Sequence, residues 1–85
     1  MKVEETLKER GERYGSFDGY AVQLEALKNA VDLEASCLNC VHKAGMEMIL
    51  TKIARIMNGD PDYVDNWHDI AGYATLVERD IEKNF

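Results

Sequence analysis

Eighty-five residues make one domain, spanning 1–85, with 46% apolar and 31% charged residues and a formal charge of −6. A chain this short buries only about 60–65% of the surface its unfolded form exposes, so it leans on a disulfide, a metal or a partner subunit. The acidic balance repels phosphate backbones and argues against wrapping nucleic acid.

Residues 1–13 are charged throughout, without the apolar stretch of a secretory signal. No run approaches the roughly 20 apolar residues of a membrane span. The expectation is a cytoplasmic protein without a membrane partner, whose two cysteines are thiols or ligands rather than a structural disulfide.

Four helical segments follow one another. The first runs from about Val3 to Tyr14, with Val3, Leu7 and Tyr14 on one narrow stripe. Gly15 reads as its left-handed stop and Ser16 as the N-cap of the next helix. The second runs from about Phe17 to Glu34, with Phe17, Tyr20, Ala21, Leu24, Leu27 and Val31 at three- and four-residue steps. The third runs from about Cys40 to Met57 and carries a wide apolar face of Met46, Ile49, Leu50, Ile53, Ile56 and Met57. In Asn58-Gly59-Asp60-Pro61, Gly59 ends that helix, and Asp60 caps a fourth with Pro61 at its first position. The fourth runs to about Lys83, with Trp67 on its apolar stripe and therefore assigned to the core.

The short connection folds the last two helices into an antiparallel hairpin. The fold expected is all-α: a four-helix, bundle-like domain with a C-terminal hairpin. Excess apolar surface makes it a homo-oligomer.

Positions equally far from the hairpin turn lie side by side, which sets Arg55 level with Asp65 and Lys52 level with Asp69. Spacings of three and four residues turn each like-charged pair to one side. Two readings are open. The four charges are two interhelical salt bridges, each worth about 0–1 kcal/mol at a surface. Or they line a pocket in which Lys52 and Arg55 take phosphate while Asp65 and Asp69 hold a magnesium ion or a ribose hydroxyl. Gly72 and Tyr73 continue that edge, with Gly72 expected to permit a close approach. His68 lies next to Asp69.

Arg10, Arg13 and Tyr14 put two cations and an aromatic ring within one helical turn, either an ordinary helix end or a contact for phosphate and base. Arg13 and Tyr14 therefore join the candidate site, with Tyr73 and His68. Cys37, Cys40 and His42 offer half a zinc site and a third ligand, but no second Cys pair completes it. Two buried thiols are the stronger reading.

The stretch from Met48 to Ile56, then Asn58-Gly59-Asp60-Pro61, then Asp65-Asn66-Trp67-His68-Asp69-Ile70-Ala71-Gly72-Tyr73 resembles a family of small phage and prophage proteins of unknown function. The segment Arg10 to Phe17 matches the same family. That family is distantly similar to the all-α NTP pyrophosphatases of the MazG and dUTPase type. The resemblance implies helical units assembled as dimers or tetramers and magnesium held by acidic residues, which Asp65 and Asp69 match. The earlier acidic helix of those enzymes is not matched, with only Glu47 on the third helix. Too few carboxylates remain for a two-metal site. The functional expectation is a phage-type protein that binds, sequesters or hydrolyses a nucleotide in a bacterial host cell. The alternative is a non-enzymatic protein that binds and inhibits a host protein.

Overall fold

The computed structural model describes residues 2–84, and its described residues form four α-helices and no strand. They are α1 (Val3–Tyr14), α2 (Phe17–Ala30), α3 (Cys40–Asn58) and α4 (Val64–Lys83). Helix α3 is the shared floor. α2 packs along one flank and α4 along the other, and α2 does not touch α4. α1 meets α2 and α3 near its end only. The result is elongated, 46 × 25 × 23 Å, with α3 standing between α2 and α4. Its radius of gyration of 14.8 Å exceeds the roughly 12 Å of a compact chain of this length.

Local chemistry explains the helix ends. Gly15 ends α1 with φ 77° as the positive-φ residue expected, but its ψ of −164° is extended rather than left-handed helical. The Ser16 hydroxyl accepts from the Gly19 amide and starts α2. α2 ends at Ala30, four residues short of expectation. Val31 turns extended, and the Asp32 carboxylate accepts from the Glu34 amide, a local bond that competes with the helical ladder. Asn39 starts α3 by accepting from the amides of Val41 and His42, and the His42 ring accepts from the Asn39 amide in return. α4 begins at Val64 rather than Pro61. Asp60 caps a tight turn instead, its carboxylate accepting from the Asp62 amide.

One clasp fixes the corner between α1 and α2. The Asn58 side-chain amide donates to the carbonyls of both Tyr14 and Ser16 at 2.8 Å. The Asp60 amide donates to the Arg13 carbonyl at 2.8 Å. Gly59 is required here because a Cβ would run into the backbone of Arg13 and Tyr14.

The core is small. Leu50 and Ala54, on the α2 side of α3, are its buried apolar residues, with Gly45 pressed against Val77 on the α4 side. Trp67 is 54% exposed, contrary to its assignment to the core, and its indole donates to the Pro61 carbonyl. The side of α4 that meets α3 is occupied by Asn66, Ile70, Tyr73 and Val77 instead. Gly72 has open space where a Cβ would stand, so no backbone of this chain approaches it closely. Asn66 is 1% exposed, and neither its amide nitrogen nor its carbonyl oxygen has a hydrogen-bond partner.

Candidate functional site

The four hairpin charges separate into two settings. Lys52 and Asp69 meet as their levels require, with Nζ to Oδ2 at 2.9 Å. The ammonium is buried between α3 and α4 while the carboxylate reaches solvent. That hydrogen bond, with the positive charges of Lys52, His68 and Arg55 nearby, holds the Asp69 carboxyl below its ordinary pKa against a smaller opposing effect of desolvation. Lys52 is thereby already neutralised.

Arg55 does not pair with Asp65. Its guanidinium lies 4.7 Å from the centre of the Tyr14 ring and 5.6 Å from that of Tyr20. Asp65 accepts a 2.8 Å hydrogen bond from the Tyr63 hydroxyl, which raises the Tyr63 pKa. α4 starts three residues later than expected, and Tyr63, in the turn before it, takes up the Asp65 carboxylate.

Arg13 also turns away. It pairs with Glu9 at 2.8 Å, donates to the Tyr63 hydroxyl at 3.2 Å and stacks over the Tyr63 ring at 4.9 Å. Tyr14 meets the same ring edge-on at 5.9 Å. His68 and Tyr73 line a shallow depression along α4 with Asp69 and Arg79.

A deeper recess sits on the other side of the clasp. It measures about 350 Å³ and lies among α1, α2 and α3, walled by Arg10, Tyr14, Ser16, Phe17, Tyr20 and Arg55. Among the described residues no carboxylate lies within ion-pair distance of Arg55 or Arg10. Cations over ring faces gain roughly 0.5–2 kcal/mol, and this fixes the Arg55 guanidinium while leaving its donors available. Of the residues singled out from sequence, Arg55 and Tyr14 are brought together here. Lys52, Asp69, Asp65 and Arg13 are engaged elsewhere. Periodicity put Phe17 and Tyr20 on the apolar face of α2, yet Phe17 is 80% exposed, with its ring 6.0 Å from that of Tyr20. The sequence signal for them was their position just past the Gly15-Ser16 corner, one turn from Tyr14 through the clasp.

Cys37 and Cys40 are free and exposed, not buried. His42 uses Nδ1 in the α3 cap. Among the described residues no group of three or more His, Cys, Asp or Glu side chains is placed to share a metal ion.

The fold and recess define a small all-helical protein whose polar features gather where α1 and α2 are clasped to the end of α3. A family model described as a domain of unknown function (DUF6378) matches residues 2–80, and the chain belongs to this family. Neither the curated proteins nor the solved structures contain a match.

Proposed function

We propose that the protein binds a small phosphate-bearing aromatic ligand of the nucleotide class in the recess among α1, α2 and α3. One observation carries the reading: Arg55, held over two tyrosine rings without a carboxylate partner, at the wall of a recess whose other groups are Arg10 and aromatic rings. A guanidinium takes phosphate as a planar fork, and ring faces accept a base. Arg55 and Arg10 would take the phosphates, and Tyr14, Phe17 and Tyr20 the base. Magnesium would arrive on the ligand's own phosphates, since Asp65 and Asp69 each already accept a hydrogen bond away from the recess.

The reading is one of binding and sequestration rather than hydrolysis, because the recess walls carry no carboxylate to activate water. The resemblance of the hairpin to small phage proteins supports a role in phage nucleotide biology in the cytoplasm of a bacterial host. The test is calorimetry with mono-, di- and triphosphate nucleotides, with and without magnesium. Binding of at least one, lost in Arg55→Ala and kept in Lys52→Met, supports the reading. A flat response from the wild-type protein across the panel overturns it.

A further inference from the structure

One apolar stripe of α3 is only partly covered. Met46, Ile49, Ile53 and Met57 are spaced three and four apart and share one face of α3. Met57 is exposed, and Met46, Ile49 and Ile53 are half-buried. α4 takes the flank marked by Gly45 and Lys52 and α2 the flank marked by Glu47, so the stripe lies between the two packed flanks. On α4, Trp67, Ala71 and Ala74 lie about 100° around the helix from the α3 contact, in the sense that brings them level with the α3 stripe. All three are exposed, and the face carries one charge, the exposed Glu78 one turn beyond Ala74. Arg55 and Asp69 lie on the opposite side of the molecule.

The apolar face of a helix in a stable domain is buried against another element, and this face has no such cover among the described residues. The chain's surface of 6224 Å² exceeds by about 1,100 Å² that of a compact chain of 9.7 kDa. A standard protein interface buries about 800 Å² on each partner. We propose that the partner of this face is a second copy of this chain, docked face to face about a two-fold axis through the α3 stripe and the Trp67 side of α4. A face whose charge is confined to Glu78 at one end meets its own copy with little repulsion, and a two-fold contact buries it on both subunits at once.

The test joins sedimentation with the fluorescence of Trp67, the chain's single tryptophan. The wild-type protein is expected at twice the 9.7 kDa chain mass, with Trp67 shielded from acrylamide. Ala74→Glu, on exposed helix surface, is expected to sediment as a single chain with its helicity kept and Trp67 quenched freely. Val22→Glu, on the outer side of α2, is expected to stay paired. A wild-type protein of single mass at micromolar concentrations overturns the proposal. So does a pair in which acrylamide reaches Trp67 as in the single chain, a reading that needs no variant to fold.

Discussion

Arg55 shows how one side chain can serve packing and recognition together. Its rings fix it and leave its donors outward, so Arg55→Ala is expected to weaken nucleotide binding about tenfold or more while changing the melting temperature little. Arg55→Lys recovers only part of the affinity, because an ammonium lacks the planar fork. Lys52 and Asp69 differ in burial, and their substitutions should differ too. Asp69→Ala strands a buried ammonium, whereas Lys52→Met leaves a carboxylate that already faces water. Asp69→Ala is therefore the more destabilising in thermal melts. The lowered Asp69 pKa fixes the pH sense. Its contribution is present above the carboxylate's unfolded pKa and is lost as pH falls through the lower folded value, so the difference between wild type and Asp69→Asn should shrink in acid. Asn66 offers the reverse case. Its two partnerless atoms are a standing cost of about 1–3 kcal/mol. Asn66→Ala should be close to neutral in denaturant melts, while Leu50→Ala, at a buried apolar site, costs about 2–5 kcal/mol.

At the scale of elements, the clasp decides whether the recess exists. Asn58 does not line the recess, but its two hydrogen bonds hold Tyr14 and Ser16, which do. Asn58→Ala should cost about 1–3 kcal/mol of stability and weaken nucleotide binding, measured by urea melts and calorimetry on the same variant. Helix existence and order were legible in the sequence, because glycine, Ser16 and the Asn58-Gly59-Asp60-Pro61 run act locally. Boundaries set by side-chain competition were less so: Asp32 ended α2 early, and Asp60 held a turn open until Val64. Tyr63, in those residues of turn, took Asp65 as its hydrogen-bond partner, while Arg55 settled over Tyr14 and Tyr20. The matched level of Lys52 and Asp69 survived because it lies farther along the hairpin, where register depends on helix pitch rather than on turn detail.

For the whole molecule, the all-helical class followed from periodicity, but the arrangement of the helices did not. Periodicity says that Met46, Ile49, Ile53 and Trp67 seek an apolar neighbour; it does not say whose. That is why Trp67 was assigned to the core and stands exposed. The same ambiguity hid the recess, since Phe17 and Tyr20 have the spacing of core residues. No helix among the described residues is long and apolar enough to cross a membrane. With every flank resting on α3 and α1 tied at one end, hydrogen exchange should be slowest in the middle of α3 and fastest in α1.

Arg55 and Ile53 stand two residues apart on α3, about 200° around the helix from each other. Whatever joins the molecule through Ile53 leaves Arg55 on the outside. A back-to-back pair would carry its two recesses at opposite exteriors, and titration would read two equal, non-interacting sites with a hyperbolic isotherm.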